Sequence, residues 1–183
     1  MRIIAGIHRG RKIKGPPSEL ARPTKDRIRE SVFNIIAPEV PGSTVLDIFA
    51  GSGAYGLEAL SRGAKSAAFV EKDETCASVL EENVHILALE DQVELIIKDA
   101  FDALELMGPG KKQFDLIFAD PPYNINVIKK TLIMINHYDI LNPTGLLIME
   151  HSASEDIPDI EENVSILKQK TYGNIVVSIY QKQ

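Results

Sequence analysis

Two runs of residues have the types and spacing to do chemistry. In the first, an apolar stretch from Phe114 to Ala119 ends in Asp120-Pro121-Pro122-Tyr123. Proline lacks an N–H and fixes φ, so the chain must leave a strand at Asp120. That sets a carboxylate, a stiffened carbonyl and a flat ring at the carboxyl end of a strand, where open α/β sheets bind ligands. In the second, Gly51-Ser52-Gly53-Ala54-Tyr55-Gly56 follows the apolar run Thr44–Phe49 and opens a helical pattern. Glycines at this spacing let the backbone turn sharply and approach a ligand. Glu71, twenty residues after Gly51, ends the next apolar run, where an acid can accept from ribose hydroxyls.

Each feature also has a plainer reading. Pro-Pro alone is a stiff turn, and the glycine pattern would serve a nicotinamide or flavin dinucleotide equally well. Asp47 argues against a dinucleotide, because a carboxylate just before the turn would repel a pyrophosphate and attract a cation. S-adenosylmethionine carries an ammonium and a sulfonium together with a ribose and an adenine. Asp99, followed by Ala100 and Phe101, is placed to accept from an adenine amine. An Asx-turn at Asp47, a surface ion pair at Glu71 and a helix N-cap at Asp99 are the structural alternatives. Three acids ending successive strands beside one glycine turn point instead to a shared ligand.

The elements that must hold these residues follow from periodicity. From Thr44 onward strands alternate with helices. Strands are expected at Thr44–Phe49, Ala67–Val70, Val93–Ile97, Phe114–Ala119 and Leu146–Met149. Helices are expected around Gly56–Arg62, Asp73–Leu89, Asp102–Leu106 and Ile125–Ile135. Val164–Thr171 and Ile175–Tyr180, flanking Tyr172-Gly173-Asn174, read as a terminal antiparallel hairpin. Repeated βα units predict a parallel sheet covered on both faces, the α/β class. Ahead of this domain, Arg2–Gly6 and Arg11–Lys14 suggest a β-hairpin. Ile28, Val32, Ile35 and Ile36 mark one face of a helix N-capped by Thr24, with Arg27 opposite that face and Arg29 at its border. Pro38, Pro41 and Gly42 close this extension, which gives units at 1–42 and 43–183.

Composition bounds the partners. The 183 residues suit one domain with a small appendage. A single cysteine, Cys76, excludes an internal disulfide, and basic residues interrupt the amino terminus before any signal pattern, so a cytoplasmic protein is expected. The net charge of -6 is uneven: residues 1–30 hold nine Lys/Arg and three acids, whereas the other 153 hold 11 basic and 23 acidic side chains. A basic arm on an acidic body suits a polyanion bound at one end, or only a solvated segment. The four histidines lack ligand spacing, and no metal is expected.

With these residues in view, a family resemblance becomes specific. Asp47–Gly53 with Gly56-Leu57-Glu58 resembles the cofactor motif of Rossmann-like class I methyltransferases, and Asp120–Tyr123 the catalytic motif of those that methylate exocyclic amines. Arg2–Gly6, Arg9-Gly10-Arg11 and Arg22-Pro23-Thr24 with Arg27–Glu30 resemble the RsmD family, which methylates guanine N2 in small-subunit (16S) ribosomal RNA. Tyr55 departs from that pattern, standing where an aliphatic residue is expected. The resemblance implies seven strands, six parallel and the last antiparallel, and S-adenosyl-L-methionine as cofactor. It implies cofactor binding by Asp47, Phe49, Ala50, Gly51, Ser52, Gly53, Glu71, Lys72, Asp99, Ala100 and Asp120. Asp120 and the Pro121 carbonyl would accept from the target amine, with Tyr123 stacked on the base. Arg2, Arg9, Arg11, Lys12, Arg22, Thr24 and Arg27 would contact RNA, and the enzyme would act as a monomer, on an assembling small subunit.

Two rivals stand beside this reading. A DNA adenine-N6 methyltransferase shares the Asp-Pro-Pro-Tyr motif, although it would be expected to carry an added target-recognition domain, which none of these 183 residues suggests. A cofactor-binding assembly factor without catalysis would need only the glycine turn. Removing residues 1–20 is expected to weaken RNA binding while leaving cofactor binding intact.

Overall fold

The computed structural model describes residues 1–15, 23–121, 127–155 and 157–183. Its centre is a sheet of five parallel strands extended by an antiparallel end. β1 (Thr44–Ile48), β2 (Ser66–Glu71), β3 (Val93–Ile97), β4 (Phe114–Ala119) and β5 (Leu141–Ser152) are the parallel members. β6 (Ile160–Glu161), β7 (Val164–Tyr172) and β8 (Ile175–Lys182) complete the order β3-β2-β1-β4-β5-β8-β7-β6. β8 inserts antiparallel between β5 and β7, so β7 runs with the parallel set. The seven principal strands are thus six in one direction and one against it, as the family resemblance implies. The two-residue β6 at the edge was not legible in the sequence.

Helices cover both faces because both faces of the central strands are apolar. One side carries α1 (Pro23–Ile35), α2 (Ala54–Ser61) and α3 (Glu74–Leu87), which bring Ile28, Val32, Leu57, Leu60, Leu80 and Val84 onto Phe69 and Phe118. On the other, α4 (Ala100–Lys111) and α5 (Val127–His137) bring Leu104, Met107, Ile128 and Leu132 onto Leu46, Ile117 and Leu147. α4 is longer than the expected Asp102–Leu106, and β5 extends well beyond Leu146–Met149. Ala100 and Met107 of α4 and Leu141 of β5 join the apolar core, which local periodicity does not reveal. α1 begins at Pro23, which puts Thr24 inside the first turn rather than at the cap. Proline suits that position because its missing N–H would have no helical partner there.

The amino-terminal segment forms an antiparallel loop with a single bridge, Arg2 to Lys12, rather than a full hairpin. What holds it is side-chain capture by α2. Glu58 is fully buried and accepts from the amides of Ile4 (2.7 Å) and Ala5 (3.0 Å). Ser61 donates to the Ala5 carbonyl at 2.6 Å and accepts from the His8 amide at 3.0 Å. Gly6 is required at this contact: its φ is +83° and a Cβ would lie 1.8 Å from the Ser61 carbonyl oxygen. Ile3 and Ile13 are buried in the same cluster as α1 and α2. Deleting residues 1–20 would therefore open the core, which overturns that deletion as a selective test of RNA binding. Among the described residues, no helix is long and apolar enough to cross a membrane.

Candidate active site

β1 lies between β2 and β4, so the connections that leave its two sides diverge. That divergence opens a crevice above the carboxyl ends of the strands, the usual ligand position in this architecture. A cavity of about 530 Å³ occupies it. The turn after β1 forms its floor and is unusually constrained. Phe49 takes a φ of +63°, which a non-glycine residue adopts only when its surroundings impose it. Ala50 N–H donates to the Val70 carbonyl, and Gly53 N–H to the Ala50 carbonyl. Gly53 has a φ of +81°, and a Cβ there would fall 2.3 Å from Leu80 Cδ1.

Two acids brace this turn from opposite ends. Asp47 accepts from the Gly56 amide at 2.9 Å, and Glu71 accepts from the amides of Gly51 (2.7 Å) and Asp73 (2.8 Å). Asp47 is only 4 % exposed. Burial pushes its carboxyl up to about 8, with the Asp120 and Glu71 charges adding to the rise and the Gly56 hydrogen bond opposing it. Asp99 N-caps α4 through the Phe101 amide at 3.0 Å and lies 3.7 Å from Lys72 Nζ. This ion pair is well exposed and contributes little to stability. The cap at Asp99 is therefore real, whereas the bond of Asp47 spans nine residues to Gly56 and is not an Asx-turn; both acids still line the cavity.

The cavity gathers Asp47, Phe49, Ala50, Gly51, Ser52, Glu71, Lys72, Asp99, Ala100, Asp120 and Pro121. Gly53 shapes the turn without lining it. Tyr123 and Arg22 lie outside the described residues, as does the Thr24 side chain. Arg2, Arg9, Arg11, Lys12 and Arg27 are exposed on the amino-terminal segment and α1. Glu58, part of the resembling motif, does not line the cavity and holds the amino-terminal loop and Arg62.

Met1, Arg29, Tyr55 and Glu150 also line the cavity, although sequence reasoning did not place them among the site residues. Arg29, read as a border residue, is only 2 % exposed and donates to the Arg2 carbonyl (2.8 Å) and Asp26 (3.1 Å). The Tyr55 hydroxyl donates to Glu150 Oε1, and its ring stacks on Phe118 with centroids 5.0 Å apart. Glu150 follows the expected end of the fifth strand by one residue, so the rule that picked out Asp47, Glu71 and Asp120 would have found it.

A family described as Conserved hypothetical protein 95 matches residues 1–181. The chain belongs to that family. It is the RsmD family of the sequence resemblance. "Ribosomal RNA small subunit methyltransferase D" of Haemophilus influenzae is 39 % identical, covering 99 % of this chain and 93 % of the relative. The protein of the same name from Escherichia coli K12 is 33 % identical over 100 % of this chain and 90 % of its own. The solved yhhF chain of Escherichia coli superposes with a TM-score of 0.90 at 33 % identity, covering 100 % of this chain and 98 % of its own.

The residues present also fit S-adenosylmethionine. Asp47 and Asp120 supply negative charge for its cationic groups, and burial alone makes the Asp47 carboxylate costly without such a partner. Both Glu71 oxygens accept backbone amides, yet a carboxylate oxygen has a second acceptor site for a ribose hydroxyl. Phe49 and Phe101, with ring centroids 6.4 Å apart, add apolar wall beside Asp99.

Proposed function

We propose that this chain transfers a methyl group from S-adenosyl-L-methionine to the exocyclic N2 amine of a guanine in small-subunit (16S) ribosomal RNA. The observation that carries this is one cavity shared by the glycine turn, Glu71 and Asp99 on one side and Asp120-Pro121 on the other, in a chain of this family. The cofactor, when bound, supplies an electrophilic methyl on a sulfonium. Asp47, Phe49, Ala50, Gly51, Ser52, Gly53 and Asp120 hold its methionine part, Glu71 and Lys72 its ribose side, Asp99 and Ala100 its adenine.

The acceptor chemistry falls to Asp120, the Pro121 carbonyl and Tyr123. The guanine N2 lone pair is delocalised into the ring and is a poor nucleophile. Two acceptors on its hydrogens favour pyramidalisation and free the lone pair, while Tyr123 stacks on the base. Asp120 takes the proton released as the N–C bond forms. Orientation supplies the rest of the rate, up to roughly 7–11 kcal/mol of barrier. A paired base cannot reach such a pocket, so the target is unpaired or flipped out.

Residues 1–42 act as the RNA-gripping extension of the methyltransferase domain at 43–183, with Arg2, Arg9, Arg11, Lys12, Arg22, Thr24 and Arg27 facing phosphates. An assembling small subunit in the cytoplasm is the substrate, and a monomer the working form. The test is transfer of a labelled methyl to ribosomal RNA that lacks the modification, with Asp120→Ala as control. Label at guanine N2, absent with the variant, is the expected result. Cofactor binding without transfer favours an assembly factor, and label in DNA favours an adenine methyltransferase.

A further inference from the structure

The acceptor end of the cavity contains a second strand-end acid that the methyl-transfer mechanism does not use. Ala119, the last residue of β4, is in register with Met149 of β5, so Asp120 leaves β4 beside the β5 position of Glu150. Both acids line the cavity, and the charges of both act on the same Tyr55 hydroxyl, which places them close together. Glu150 is 4 % exposed.

Its orientation is fixed by Tyr55, whose hydroxyl donates to Oε1. The Tyr55 ring is clamped between Phe33 (centroids 6.1 Å apart) and Phe118 (5.0 Å), both near-parallel to it. Burial, then the negative charges of Glu150 and Asp120, hold the Tyr55 hydroxyl well above its ordinary pKa. It therefore stays a donor, which holds Glu150 Oε1 as its acceptor. Arg29 lines the same cavity, and its positive charge acts on the Tyr55 hydroxyl together with the two acids.

We infer that Glu150 is a specificity-determining residue: its carboxylate accepts from N1–H of the target guanine while Asp120 and the Pro121 carbonyl hold the N2 amine. This rests on the guanine-N2 reading of the site. The Watson–Crick edge of guanine presents two adjacent donors, N1–H and N2–H. Two adjacent carboxylates complement them. Adenine offers an amine beside a bare N1 lone pair, which a carboxylate opposes. The pair thus explains how a chain with a motif shared by adenine methyltransferases selects guanine. Glu150, not Asp-Pro-Pro-Tyr, makes the distinction.

The test uses small subunits reconstituted with either guanine or 2,6-diaminopurine at the mapped methylation site. Diaminopurine keeps the N2 amine but has a lone pair at N1 in place of the hydrogen. The wild-type enzyme should favour guanine in kcat/KM by about 10–100-fold, the discrimination expected when one base-edge hydrogen bond cannot form. Glu150→Gln, which keeps the volume and an acceptor for Tyr55, should bring the two bases within about threefold, by losing rate on guanine and gaining it on diaminopurine. Unchanged thermal stability and cofactor affinity would exclude a folding effect. A wild-type enzyme that accepts both bases equally would overturn the inference without reference to any variant. Equal loss on both bases in Glu150→Gln would also overturn it, leaving Glu150 as an anchor for Tyr55. No transfer to either base by the wild type would instead mean that the guanine-N2 reading has failed.

Discussion

Replacing Asp47 with Asn tests whether the cavity is built to receive a cation. Asp47 is nearly buried, and its carboxyl is raised from 3.8 to about 8. The folded protein therefore retains a proton that the unfolded chain releases. Stability from this group is complete below about 3.8, falls as pH rises, and is gone above about 8. At about 1.36 kcal/mol per pH unit, the window amounts to on the order of 5 kcal/mol. Asn is isosteric, keeps an acceptor for the Gly56 amide and does not titrate. Urea unfolding of both proteins across this window should show the variant gaining on the wild type as pH rises, by several kcal/mol in total. A cationic ligand should reverse the balance. S-adenosylmethionine binding to the wild type near neutral pH should release a proton, seen as an enthalpy that depends on the buffer. The Asp47→Asn variant should bind it more weakly and without that release. Parallel stability curves for the two proteins would refute the reasoning, because Asp47 would then be solvated and already ionised.

Other outcomes follow from the same geometry. Asp120→Asn should lower kcat by roughly 10²–10⁴-fold in a single-turnover assay while leaving cofactor affinity within a few-fold. Glu58→Gln should destabilise the fold by about 3–5 kcal/mol in urea unfolding, because Arg62 loses its charged partner and the Ile4 and Ala5 amides a charged acceptor. Replacing Arg9, Arg11 and Lys12 together by Ala should weaken RNA binding and reduce the log–log salt slope by roughly 0.7–0.9 for each phosphate no longer neutralised. Unlike the deletion of residues 1–20, that triple variant leaves Ile3 and Ile13 in the core.

The sequence by itself determined the βα alternation, the glycine turn and the acids at Asp47, Glu71, Asp99 and Asp120. These are legible because strand periodicity is local and because repeated parallel units bring every strand's carboxyl end to one edge of the sheet. The surroundings of two further residues at that edge, Arg29 and Glu150, were not legible. Arg29 has the types around it of an exposed border residue, and only the docking of the amino-terminal loop on α2 closes it in. Glu150 stands at the expected end of a strand as the other acids do, but it meets Tyr55 across 95 residues, and no local pattern encodes a contact of that separation. Tertiary structure also decided that the basic arm is not free. Glu58 and Ser61 pin it to α2, and Met1 reaches the cavity itself. The chemistry-bearing ends of strands are a property of the chain, whereas the charge and burial around each acid arise only when distant segments pack.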